Sequence, residues 1–129
     1  MICHLMGIYT LVVYFNVWYL LAALVLSNII VNSGIGLCYH RMYAHKSWKA
    51  HPIVENILHF FGVITCMGPA INWVGTHRVH HMTADTTNDP HSPVGKPLLT
   101  KIMYWFNFWE KHHVSVNHVK DLIRKPNQK

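Results

Sequence analysis

Five of the twelve histidines stand in two tight groups, His40 and His45 in "HRMYAH" and His77, His80 and His81 in "HRVHH". On a helix, residues three and four apart share a face, so His77, His80 and His81 fan out from a common surface. His80 and His81 are adjacent, about 100° apart around that helix, which lets them address two metal ions rather than one. Imidazole is the commonest metal ligand, and nitrogen-rich donor sets without thiolate suit iron, zinc or copper. His40 and His45 lie about 140° apart on an α-helix and aim at one point only if the helix ends between them, so fraying near residues 41–44 is expected. A lone histidine reads as a satisfied polar residue; five in two such spacings, each at the edge of an apolar segment, read as a metal site. Asp85 and Asp89 are expected to accept the far N–H of a ligating imidazole, or to cap the helix end, rather than to bind metal directly. If the helix persists, Arg78 and Asp85, seven apart, share a face and pair.

The elements that must carry these groups are apolar. No Asp, Glu, Lys or Arg precedes Arg41, and residues 5–31 read "LMGIYTLVVYFNVWYLLAALVLSNIIV", longer than the roughly 20 apolar residues that span a bilayer. An integral membrane protein is expected. A secretory signal peptide would need a basic start and a short apolar core, and "MICHLMG" supplies neither. The polar dip at Asn16 predicts a shortened helix to about Phe15 and a fuller span from about Val17 to Leu37. Some fourteen helical residues cover only about 21 Å, less than the roughly 30 Å hydrocarbon core. Asn28, Asn32, Gly36 and His40 recur every four residues on one face, a stripe that serves either helix packing or contact with substrate.

A second apolar segment, Ile53 to Val74, follows Pro52 and contains Gly62, Gly68 and Pro69, which argue against a straight spanning helix. Were it to cross the membrane, the two histidine groups would lie about 30 Å apart on opposite faces. The segment is therefore expected to be re-entrant or interfacial. The last third carries Tyr104, Trp105, Phe106, Phe108 and Trp109 beside lysines, a pattern that suits either an interfacial helix or packing against the other helices. The expected fold is all-α, an integral membrane helical hairpin with its first helix shortened, then a re-entrant or interfacial helix and cytoplasmic helices bearing the histidines. Residues 1–129 read as one domain: membrane helices over about 1–37, the histidine region over 38–93, and a cytoplasmic or interfacial segment over 94–129.

All eleven Lys and Arg residues fall from position 41 onward, so the positive-inside rule places that part in the cytoplasm. A basic flank facing anionic lipid accounts for the net charge of +6 without a nucleic acid partner, since the basic residues form no cluster or recognition motif. Cys3, Cys38 and Cys66 are far apart and form no CxxC pair, which reads as reduced, structural thiols.

The stretches "GLCYHRMYAHKSWKA" and "WVGTHRVHHMTADTTNDPHSP", in that order and about thirty residues apart, resemble the membrane fatty-acid desaturases of the acyl-CoA Δ9 type. The likeness runs from about Trp18 to Pro93 and weakly on to "VKDLIRKP". The resemblance implies a non-haem di-iron centre at the cytoplasmic mouth of a helical bundle, with His40 and His45 as the first box and His77, His80 and His81 as the second, all five as iron ligands. It implies insertion of a cis double bond into a fatty acyl chain with O2 and two electrons from a ferredoxin or cytochrome b5. Trp73, one helical turn before His77, would line the acyl tunnel, with Asn32 and Gly36 on the stripe leading to His40; packing is the plain alternative for each. Gly75-Thr76 stand where many animal acyl-CoA enzymes carry Arg-Asp, which favours a lipid-linked or carrier-protein-linked acyl chain over a CoA ester. The family's third box, HxxHH, is missing: His112, His113 and His118 do not form it and read as surface histidines. The resemblance thus implies an amino-terminal portion of a desaturase. A related membrane hydroxylase and a non-catalytic membrane metal-binding protein are the other readings.

Overall fold

A computed structural model of the chain describes residues 2–92, 95, 97–99 and 115–123. Every regular element among them is helical. Helix α1 runs Ile2–Val13 and is about 18 Å long at 1.5 Å per residue, too short for the hydrocarbon core. The chain breaks at Asn16, whose backbone is extended and whose side-chain oxygen accepts from the backbone N–H of Trp18 at 2.9 Å and Tyr19 at 3.3 Å. That Asn cap satisfies two N–H groups that the first turn leaves open and starts α2, Val17–Val31.

Helix α2 passes without interruption into a π-helix over Asn32–Ala44, so that Val17–Ala44 forms one apolar helix of 28 residues, long enough to cross a membrane. No residue of α2 is buried, and Trp18 and Tyr19 are 74% and 76% exposed. An uncovered apolar surface of this extent suits lipid rather than water.

The π-helix is where the chain becomes packed. Cys38, Tyr39, Met42 and Tyr43 are buried there, together with Leu58 of α3 (Pro52–Ile64) and Ala70 and Val74 of α4 (Ala70–Thr83). The backbones of the π-helix and α3 meet directly. A side chain at Gly34 would strike the backbone of Phe61 and Gly62, and one at Gly62 would strike the ring of Tyr39. Helix α3 is capped by the His51 side chain and begins with Pro52. It ends at a turn in which Cys66 and Gly68 take left-handed backbone conformations, and α4 follows. At 13 residues α3 reaches about 20 Å, and the turn divides the second apolar segment into two helices. A 3-10 turn, Val116–His118, leads into the short α5, Lys120–Ile123, whose Leu122, with the neighbouring Val119, completes the core. The aromatic cluster at 104–109 and His112 and His113 lie outside the described residues.

Candidate metal centre

The structure corrects one expectation about the first box. The helix does not fray at 41–44 but widens: the His45 N–H donates to the His40 carbonyl at 3.0 Å, five residues back. Hydrogen bonding from i to i+5, the π pattern, brings residue i+5 round towards residue i. The 140° divergence of an α-helix thereby narrows, and the Nε2 atoms of His40 and His45 come within 3.1 Å. From α4, His77 brings its Nε2 to 3.2 Å from that of His45, and His81, one turn on, brings its own to 3.0 Å from that of His77. The four ligand nitrogens of His40, His45, His77 and His81 all lie within 4.8 Å of one another.

Hydrogen bonding does not account for this convergence. A neutral ring nitrogen carries either a proton or a lone pair, not both, yet His45 Nε2 and His77 Nε2 each face two other Nε2 atoms. A shared cation does account for it. Two nitrogens bound at about 2.0–2.1 Å with angles of about 90–109° stand roughly 2.8–3.4 Å apart, a range that contains the three successive pairs His40–His45, His45–His77 and His77–His81. His77 is held in the neutral, lone-pair form that ligation needs: burial, followed by the nearby imidazoles of His40, His81, His45 and His80, brings its pKa down to about 3. Trp73 stacks on the His77 ring, centroids 4.9 Å apart and planes at 18°, and stands 6.4 Å from the His40 ring. The centre therefore has an indole wall on one side, while His45 and His81 are exposed.

His80 is not part of this foursome. Its Nδ1 bonds Asp89 Oδ1 at 2.8 Å, and its ring packs 5.2 Å from that of His91. Asp89 is buried at 3% exposure. Burial alone would raise its pKa, but the bond to His80 and the backbone N–H groups of His91 and Asp85 outweigh that and hold it below the usual value. Asp85 lies beyond the end of α4, with a left-handed backbone, and is exposed. It cannot share a helix face with Arg78, whose guanidinium pairs instead with Asp121 at 2.8 and 3.0 Å. Asn32 and Gly36 sit on the π-helix ahead of His40. The Asn32 side-chain amide donates to the Asn28 carbonyl at 2.8 Å, and that of Asn28 to the Leu24 carbonyl at 2.9 Å, so the helix itself satisfies these amides. His118, expected at the surface, is half-buried, and its carbonyl accepts from Arg78.

No family model and no solved structure matches the chain. Curated proteins do. The chain is 35% identical over 105 residues to the sn-1 stearoyl-lipid 9-desaturase of Anabaena variabilis, covering 81% of this chain and 38% of that protein. It is 43% identical over 60 residues to Delta-9 acyl-lipid desaturase 1 of Arabidopsis thaliana, 46% of this chain and 20% of that protein. To the acyl-CoA Delta(11) desaturase of Choristoneura rosaceana it is 34% identical over 91 residues, 69% of this chain and 27% of that protein. The chain belongs to the fatty-acid desaturase family. This desaturase-family chain spans about two fifths or less of the length of these relatives.

Two features of the desaturase-family chain escaped the sequence reading. The π-helix has no signature in hydropathy or spacing. The Arg78–Asp121 pair joins residues forty-three apart, beyond the reach of any local pattern; the only hint was that "VKDLIRKP", which contains Asp121, shared the resemblance.

Proposed function

We propose that this chain forms the histidine-rich part of an O2-dependent fatty acyl desaturase, with His40, His45, His77 and His81 holding one iron ion and His80, steadied by Asp89, offered to a second. The observation that carries the proposal is the convergence of four Nε2 atoms, drawn from two boxes thirty-two residues apart, at the end of a membrane-length apolar helix in a chain whose relatives are named as desaturases. The donor chemistry fits iron: imidazoles only, His77 among them kept neutral by burial, with one ring oriented through its far nitrogen by a carboxylate. Bound there, iron would supply with O2 the oxidising power for cleaving an unactivated C–H bond that no side chain carries.

The chain's own residues have narrower tasks. The π-helix and α4 present the imidazoles, Asp89 fixes the orientation of His80, and Trp73 lines the acyl path and keeps water from one side. Asn32 and Gly36 border that path on the stripe leading to His40, and Asp85 supports the loop that delivers Asp89. The reaction removes two hydrogens from adjacent methylenes, and two electrons and two protons join them in reducing O2 to two waters. A ferredoxin or cytochrome b5 supplies the electrons. The Gly75-Thr76 pair, together with relatives named for lipid-linked substrates, favours an acyl chain on a lipid over a CoA ester. Val17–Ala44 spans the bilayer, α1 pairs with it as the shortened arm of a hairpin, and α3 and α4 form the re-entrant or interfacial part. The basic residues from 41 onward keep the histidines on the cytoplasmic side.

Mass analysis of acyl lipids from cells expressing the intact enzyme tests this reading. Loss of two hydrogens is expected; gain of an oxygen identifies a hydroxylase, and an unchanged lipid profile with iron bound identifies a non-catalytic metal protein.

A further inference from the structure

Arg78 sits in the second box between ligands, yet its guanidinium serves the first box. Its Nε donates to the Ala44 carbonyl at 3.1 Å, and Nη2 donates to the Tyr43 carbonyl and to Asp121 Oδ2 at 3.0 Å. Nη1 donates to the His118 carbonyl and to Asp121 Oδ1 at 2.8 Å. All five N–H donors of the side chain are thus used. The carbonyls of Tyr43 and Ala44 end the π-helix, where no intrahelical donor remains and a cation is favoured. On the other side of His45, Lys46 Nζ reaches Asp121 Oδ2 at 3.1 Å. His45 is therefore bracketed: the carbonyl before it is held by Arg78 and the side chain after it by the carboxylate that Arg78 grips. Arg78 itself follows His77 directly, and His45 and His77 bring their Nε2 atoms to 3.2 Å across the boxes.

We propose that Arg78 and Asp121 are positioning residues, a clamp that locks the end of the first box onto the second and so sets the distance between His45 and His77. This rests on the reading of the histidine cluster as a metal centre. The clamp needs the guanidinium fork: a lysine is a point charge with three donors and cannot hold two helix-end carbonyls, a loop carbonyl and a bidentate carboxylate together. It also gives the segment around Asp121 a task at the site, although that segment supplies no ligand to the cluster.

The test uses the full chain in lipid nanodiscs, titrated with Co(II), whose visible absorption reports imidazole coordination, with helix content followed by circular dichroism. Arg78→Lys is expected to keep its helix content, weaken Co(II) binding by about tenfold or more and alter the visible band. Asp121→Asn should act in the same direction by a smaller factor. Unchanged Co(II) affinity and spectrum in a folded Arg78→Lys overturns the clamp while leaving the metal centre standing. If Arg78→Lys loses helix content, Asp121→Asn decides, because it keeps the guanidinium and its carbonyl bonds: weakened binding supports the clamp and unchanged binding overturns it. An unaltered chain that takes up no Co(II) removes the metal centre and the clamp with it.

Discussion

At the scale of single residues, the centre is defined by which ring nitrogens can share one ion. His40, His45, His77 and His81 can; His80 is drawn to Asp89. On the proposed reading, adjacent positions on one helix therefore have different tasks, which substitutions should separate. His45→Ala and His81→Ala are each expected to lower the affinity of the tighter metal site by well over tenfold, whereas His80→Ala leaves that site filled and lowers the total metal bound; equilibrium dialysis with elemental analysis reads both. Equal loss of the tighter site in His80→Ala would place His80 in the foursome. Asp89→Asn should resemble His80→Ala but be milder, about 10–100-fold at the second site, as for other carboxylates that orient a ligating ring.

At the scale of elements, the site exists because one helix changes its winding and its backbone at Gly34 meets that of a second helix directly. The π register brings His45 round towards His40, and the Gly34–Gly62 contact lets α3 lie against the π-helix with the Tyr39 ring filling the space beside it. Gly62→Ala is expected to destabilise by about 1–3 kcal/mol, the ordinary cost of overpacking, and to disturb Tyr39, which packs 6.0 Å from Trp73. Thermal unfolding in detergent checks it, and an unchanged midpoint would show that the crossing is slack. At this scale much of the molecule could be read from residue types. The break at Asn16, the apolar span after it and the division of the second segment near Gly68 and Pro69 follow from polarity and backbone chemistry that act locally. The meeting of the boxes followed from geometry, since donors on opposite membrane faces cannot share an ion. The winding of residues 32–44 did not, because a π-helix is stabilised by what packs around it and not by propensity. Asp121 was hidden for a related reason: its partners, Arg78 and Lys46, lie far away in sequence and no periodic pattern links them.

At the scale of the whole molecule, the chain is apolar at one end and tied by charge at the other. The exposed apolar surface of α1 and α2 calls for lipid. Leu24→Lys, at the middle of the exposed face of α2, should reduce membrane insertion by about 3–4 kcal/mol in a microsomal insertion assay; undiminished insertion would argue that this helix is covered by protein. The opposite end depends on Asp121. Hydrogen bonds from Arg78, then from Lys46, hold its carboxyl far below the ordinary value despite partial burial. A depressed folded-state pKa contributes stability above the unfolded-state value and loses it as pH falls below that value. The melting midpoint of Asp121→Asn should therefore lie below that of the unaltered chain at pH 7, and the gap should close as pH drops below about 4. A gap independent of pH would mean that the carboxylate's charge contributes nothing.

The most direct test of the account is X-ray absorption at the metal edge of the iron-loaded chain in lipid nanodiscs. It predicts a first shell of nitrogen and oxygen at about 2.0–2.2 Å, with the multiple-scattering pattern of several imidazoles that weakens in His45→Ala and in His81→Ala. A first shell containing sulfur, or an imidazole signal untouched by both substitutions, would contradict a centre built from the two histidine boxes.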